Sequence, residues 1–354
     1  MPGRLETHIG SIRLKNPVIC AAGEHVMTVA GIRAGLAAGA SVVVAKSVSE
    51  SEAAKDQLDR TDYVLLDANF QRLPWDFAPP REATLACRSG LVRTAFPEWL
   101  ETIAALDREA AEADAYVAAS LILAELEPAV DMARRIEDAG LRILEFNIGT
   151  PYGDEAGGAV STERAADRVR EFVAAVAGAV DIPVWVKITG QSDSVPNLVA
   201  AARDGGAEAV IMIGRYLGMI PDTETMAPML ETNLGIGGAW ALPLTCHWLA
   251  RTRKAVGPDF PLIATNGARS GLDVARMMLA GASAAELSTA VMTAGFAVLS
   301  DAIAEVDDWL SGHDVCAEDV IGRAADRVKS FQELPKRPGF WRDFVPPETL
   351  AEND

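Results

Sequence analysis

Two lysines are the first residues that could do chemistry. Lys46 ends VVVAK and Lys187 ends PVWVK, each closing a short, β-rich apolar run. An ammonium at the end of an interior strand is costly to desolvate unless an anion or an electron-rich ring meets it. The alternative is a lysine that snorkels to the rim, and finding two in matching positions favours the ligand. Two later segments suit a phosphate. ATNGARSG and ELSTAVMTAG place Asn266, Gly267, Ser288 and Thr289 just after short strands, where small residues let backbone N–H groups approach anionic oxygens. Gly237 and Gly238, in GIGG ahead of a helical run from Pro243, offer another close approach. Asn147, Asn69 and Ser120 add neutral polar groups suited to the edge of a flat heterocycle, although each could equally be a turn residue or cap. The four cysteines have no CxxC or Cys/His spacing, so neither zinc nor an iron–sulfur cluster is read from them. Cys246 and His247 are neighbours in a helical run and point to different sides, which offers no nucleophile and base.

The elements that must position these groups repeat. Eight apolar runs, each followed by a helical stretch, occupy Val18–Ala21, Ser41–Lys46, Tyr116–Ser120, Ile143–Asn147, Val184–Ile188, Ala209–Ile213, Leu262–Thr265 and Ala285–Ser288. Runs that are apolar throughout read as parallel strands covered on both faces, and eight βα units predict a closed (β/α)8 TIM barrel of the α/β class, with an open doubly wound sheet as the alternative. Thr28 and Ser270 stand where helix N-caps are expected. Leu5–Ile9 and Ile12–Leu14 flank Gly10-Ser11, a hairpin that would plug the N-terminal mouth. About 70 residues from Val48 to Asp114 form a long insertion after the second strand, and excursions of that length are usually lids or binding loops. Residues 1–330 are therefore expected to form one barrel, and 331–354, with Pro335, Pro338, Pro346 and Pro347, an extended tail.

Composition sets outer limits. Hydrophobic residues make up 49% and charged residues 23%, enough for a sizeable core. A formal charge of −18 repels phosphate backbones and anionic lipid, which argues against nucleic-acid and membrane partners. No run of about 18 apolar residues and no leader-like apolar region is present, so a soluble cytoplasmic protein is the expectation.

Several stretches, in order, carry a family resemblance: LKNPVICAAGEHVMT, AKSVS, LEFNIGTP, PVWVKIT, LGIGGAWALP, IATNGARSGLDVARMMLAGAS and the late AEDVIGRAADRVKSF. Together these resemble the dihydroorotate dehydrogenase family over roughly Leu5 to Ser330, in particular its soluble class of flavin homodimers without an iron–sulfur partner; the FMN barrel of dihydropyrimidine dehydrogenase is also similar. The resemblance implies an FMN-dependent oxidoreductase of the CH–CH donor class. It implies that Ala22 and Gly23 pack near the ring, that Lys46 and Lys187 meet its N1/O2 side, and that Ser47 and Asn147 hydrogen-bond it, with Ser120 nearby. Gly237, Gly238, Asn266, Gly267, Ser288 and Thr289 would cradle the phosphate. Asn266-Gly267 stands where the family usually has Gly-Gly.

The substrate positions depart from the family pattern. Thr150, in NIGTPYG, stands where the family has a Cys or Ser base, and a threonine hydroxyl is a poor base without an activating neighbour. Of the asparagines that hold orotate in the family, only Asn69 is kept; Tyr152, Ile211-Met212 and Trp75 occupy the other positions. A polar pyrimidine dione would lose several partners, a mismatch worth several kcal/mol. Trp75, Tyr152 and Met212 suggest a more apolar or aromatic ligand, while Arg72, Arg88, Arg93 and Arg215 are candidates to meet a carboxylate. The expectation is hydride transfer between a small cyclic or aromatic substrate other than dihydroorotate and flavin N5, with a second small molecule as electron acceptor. Oxygen-using or redox-neutral flavin chemistry, and a non-catalytic flavin-binding subunit, are the competing readings.

Overall fold

The computed structural model describes residues 3–150, 160 and 162–350. The chain opens with a hairpin of β1 (Thr7–Ile9) and β2 (Ile12–Leu14), followed by β3 (Val18–Cys20) and β4 (Val42–Val44). Strands β5 (Asp62–Leu66), β6 (Arg72–Leu73) and β7 (Thr84–Arg88) come next. Then follow β8 (Tyr116–Ile122), β9 (Leu144–Asn147), β10 (Val184–Lys187) and β11 (Ala209–Met212). Four short strands, β12 (Tyr216–Gly218), β13 (Pro221–Asp222), β14 (Ala227–Pro228) and β15 (Leu234–Gly238), precede β16 (Leu262–Thr265) and β17 (Ala284–Leu287).

Strands β3, β4, β8, β9, β10, β11, β16 and β17 close into an eight-stranded parallel barrel. All eight runs expected from the sequence are present, and the helices between them cover the outside. Thr28 and Ser270 cap their helices, accepting from Gly31 N and Asp273 N. Alternation along each strand decides what faces inward. Ile19, Val44, Ile143, Trp185, Ile211 and Ala284 form the interior layers, and Ile9 and Leu14 of the hairpin join the same cluster, closing the N-terminal end. Two residues further along the same faces stand Ala21, Lys46, Glu145, Lys187 and Glu286. Val210 and Met212 have the opposite parity and belong to the layer between barrel and helices.

The insertion after β4 is shorter than its sequence span suggests, because its last part, Phe96–Glu112, is the amphipathic helix of that βα unit. The remainder, β5–β7, pairs with segments that follow β11, giving a five-stranded sheet in the order β12-β15-β7-β5-β6. The GIGG stretch, expected as a loop, is therefore strand β15. Val64, Leu66, Ala86, Ile220, Met229 and Leu234 make a small apolar core of their own beside this sheet. After residue 330 the chain forms three short turns of 3-10 helix with Phe331, Phe340, Trp341 and Phe344 exposed. No helix among the described residues is long and apolar enough to cross a membrane.

Candidate functional site

At the C-terminal ends of the barrel strands, where this architecture places its ligands, lies a cavity of about 1100 Å³ including its open mouth. Its wall carries Ala22, Gly23, Lys46, Ser47, Asn147, Thr150, Lys187, Arg215, Asn266, Gly267, Ser288 and Thr289. Residues selected from seven separate sequence segments thus meet in one place.

The floor is ionic. Lys187 Nζ lies 3.0 Å from Glu145 Oε2 and 2.6 Å from Glu286 Oε2, and both carboxylate side chains are fully shielded from solvent. Burial alone would lower the Lys187 ammonium, but the two carboxylates outweigh it and raise the group above the ordinary lysine value. Ser120 lies beneath the cavity rather than on its wall: it donates to Glu145 Oε1 at 2.6 Å, and its hydroxyl is 2.7 Å from that of Ser47. Neither Glu145 nor Glu286 was singled out from the sequence. The available signal was a carboxylate inside an otherwise apolar run, ILEFN and AAELS.

Near the mouth, Lys46 pairs with Glu24 at 3.1 Å, and Gly90 N donates to the same carboxylate oxygen at 3.3 Å. Burial disfavours the ionised form of Glu24, yet the charges of Lys46 and Arg215 and the neighbouring Tyr63 hydroxyl hold its carboxyl down at about 2. Arg215 donates to Cys87 Sγ and, at 2.9 Å, to Ser89 Oγ, which braces its guanidinium against β7. His25 sits beneath Gly23, and its burial holds the imidazole down at about 4, neutral at physiological pH.

The third region is a cradle of small residues. Asn266 and Gly267 both have positive φ, 70° and 116°, turning the backbone sharply after β16. A Cβ at Gly237 would lie 3.1 Å from Thr289 Oγ1 and 3.2 Å from Asn266 Oδ1, so the absent side chain leaves space between these groups. Asn266 Oδ1 and Glu286 Oε1 are buried without a hydrogen-bond partner, and buried polar atoms left so are commonly completed by a ligand or water. Small residues opening toward hydroxyls at one side, with a lysine-centred polar floor at the other, fit a flat heterocycle bearing an anionic tail. Gly238 instead faces Ala83 O, just ahead of β7 in the five-stranded sheet at the cavity mouth.

Several expected substrate residues stand elsewhere. Asn69 and Arg72 lie at the β5–β6 turn and border a second hollow with Met219, Asp222 and Met229. Met212 is fully buried outside the barrel interior because its parity on β11 is the outward one. Trp75 packs edge-on against Tyr63, with ring centroids 6.2 Å apart, and so is one ring removed from Glu24. Arg88 and Arg93 pair with Asp62 and Asp59. Tyr152 lies outside the described residues. Among the described residues no group of three or more His, Cys, Asp or Glu side chains could hold a metal ion.

The sequence profile of the dihydroorotate dehydrogenase family matches residues 81–310. The chain is 28% identical over 282 residues to the catalytic subunit of dihydroorotate dehydrogenase B (NAD(+)) from Methanosarcina mazei, covering 79% of this chain and 82% of that one. To the corresponding subunit from Methanocella arvoryzae it is 27% identical over 327 residues, 92% of this chain and 99% of the other. Dihydroorotate dehydrogenase A (fumarate) from Lactobacillus delbrueckii subsp. bulgaricus matches at 31% over 163 residues, 46% of this chain and 52% of that one. Barrel, cavity and profile converge: the chain belongs to the dihydroorotate dehydrogenase family, whose members are FMN-dependent oxidoreductases.

Proposed function

We propose that this enzyme oxidises or reduces a small cyclic or aromatic carboxylate other than dihydroorotate. FMN, when bound, supplies the two-electron centre that exchanges hydride with the substrate. In this reading Asn266, Gly267, Ser288 and Thr289, with space left by Gly237, hold the phosphate. Lys187 meets the electron-rich side of the ring; Ala22, Gly23, Ser47 and Asn147 fix its edge and face. Thr150, 6% exposed on the cavity wall, would be the group that handles the substrate proton in this reading. Lys46, paired with Glu24 at 3.1 Å, meets the same side of the ring as Lys187.

One observation carries the substrate reading: among the described wall residues the asparagines are Asn147 and Asn266, both assigned above to the cofactor, while the remaining wall offers one further amide, Gln57, with Arg215 and Ser89 beside Leu85, Leu91, Ile122 and Met292. A pyrimidine dione needs several amide partners, whereas an apolar ring with one carboxylate needs an apolar wall and one guanidinium. A second small molecule then serves as electron acceptor, and the homodimer of the resembling class is the proposed assembly, supported by exposed Phe70, Phe77 and Met219 around the mouth sheet.

Small aromatic carboxylates, with benzoate as the first probe, are expected to perturb the visible band of bound flavin saturably. Arg215→Ala should weaken that binding by about tenfold to a hundredfold, the loss of one charge-assisted hydrogen-bonded pair. Unchanged affinity in the variant, or tighter binding of orotate than of any aromatic acid, would overturn the assignment.

A further inference from the structure

Glu286 has a place in this cavity that the family resemblance does not account for. It extends from β17 at the inward position above Ala284, lines the cavity floor, and has a side chain with no solvent exposure. One carboxylate oxygen meets Lys187 Nζ at 2.6 Å; the other, Oε1, is buried without a partner. Lys187 is shared with Glu145 on β9, so two carboxylates, each shielded from solvent, compete for one cation at the cavity floor, an arrangement in which both cannot readily be ionised. Burial first, and Glu145 second, push the Glu286 carboxyl up to about 7 against the opposing pull of Lys187. Neighbouring strands add little: β16 presents Thr265 and β3 presents Ile19 in register, and the Cys20 thiol next along β3 is kept protonated by burial.

Charge on the wall makes the consequence definite. Lys46, Lys187 and Arg215 face Glu24, Glu145 and Glu286. With Glu286 ionised the six cancel; with it protonated the cavity carries one positive charge.

We propose that Glu286 takes up one proton from solvent water whenever the cavity's flavin gains two electrons, and returns it on reoxidation. The inference rests on the flavin reading of the cavity. The balance is simple. One substrate C–H bond breaks and delivers a hydride, two electrons and one proton, while the neighbouring C–H bond breaks, its electron pair forming the C=C bond and its proton passing by way of Thr150 to solvent; the hydride would leave one additional negative charge beside Lys187. A hydronium O–H bond breaks and the Glu286 O–H bond forms, so the floor gains one positive charge at the same moment. The electron acceptor reverses both changes. Glu286 is a positioning residue in this account: it acts on the ring's charge through Lys187 and does not touch the substrate.

The test is the reduction potential of bound flavin against pH, by spectroelectrochemistry, in the wild-type holoenzyme and in Glu286→Gln. For a two-electron couple each proton taken up moves the potential by about 30 mV per pH unit, since one pH unit is a tenfold change in the equilibrium. Above pH 7 the wild type should show about twice that slope, and E286Q the single-proton slope. A single-proton slope in the wild type, or equal slopes in both proteins, overturns the proposal. Should E286Q fail to hold flavin, the redox-difference infrared spectrum of the wild type decides: a protonated-carboxyl band gained on reduction supports the proposal, and its absence overturns it. A wild-type chain that holds no flavin refutes the cofactor reading together with the proposal, whereas flavin bound with a single-proton slope refutes the proposal alone.

Discussion

Lys187→Met should lower the stability of the protein by about 3–5 kcal/mol, because it removes the one cation shared by two buried carboxylates. Both partners are fully shielded and lie within 3.0 Å of Nζ, so removing Lys187 leaves two buried carboxylates without their counter-charge. The loss should depend on pH in a definite direction. Without Lys187, burial and the neighbouring Glu145 hold the folded-state pKa of Glu286 still further above the unfolded carboxylate value. Groups raised in this way are stabilising while protonated and lose that contribution as pH rises through the folded value, so the deficit should grow from pH 5.5 to pH 8. Adding Glu286→Gln should recover part of it, since the pair shares one network and the two changes cannot be additive. Urea denaturation of the two variants at both pH values is the measurement. An equal deficit at both, with no recovery in the double variant, would mean that the floor is not held by these charges.

Gly267→Val should weaken FMN binding by about tenfold to a hundredfold, the consequence of about 1–3 kcal/mol of backbone strain placed in the proposed phosphate cradle. Gly267 has φ of 116°, and an added Cβ would lie 2.6 Å from Leu242 N and 2.7 Å from its Cα, so the start of the helix Leu242–Val256 must shift as well. Gly206→Ala is a control. It also has positive φ, 98°, but lies ahead of β11 at the opposite end of the barrel, with an added Cβ 3.4 Å from Ala177 Cβ. It should cost stability without changing flavin affinity, measured by fluorescence titration of the apoprotein. Similar flavin affinities in Gly267→Val and wild type would remove residues 266–267 from the cradle.

The barrel was readable because its signal is local. Each strand is a short apolar run closed by a helix start, and Thr28 and Ser270 mark caps through their own hydroxyls. Lys46 and Lys187 stood out because an ammonium at the end of such a run contradicts its surroundings. Glu145 and Glu286 contradict theirs equally, but in a strand apolar on both faces nothing in the sequence says which residues point inward. Once Trp185 is known to face the interior, alternation places Lys187 there as well, and the same reasoning applied to Ile143 and Ala284 places the two glutamates beneath the cavity. Met212 was misplaced for the same reason, by one residue of parity. Asn69 and Arg72 were misplaced for a different one. The insertion folds by pairing β7 with β15, far away in the chain, and no local pattern encodes that register, so which edge of the mouth sheet the β5–β6 turn occupies was not legible.

The most direct test of a flavin barrel with an altered substrate wall is a single titration. The purified protein should show the visible spectrum of bound FMN, and under anaerobic conditions added dihydroorotate should leave that flavin oxidised. Rapid, saturable bleaching would contradict the account: it would show that Thr150 and the Arg215 wall still process dihydroorotate, and that the missing amides are supplied from elsewhere in the chain.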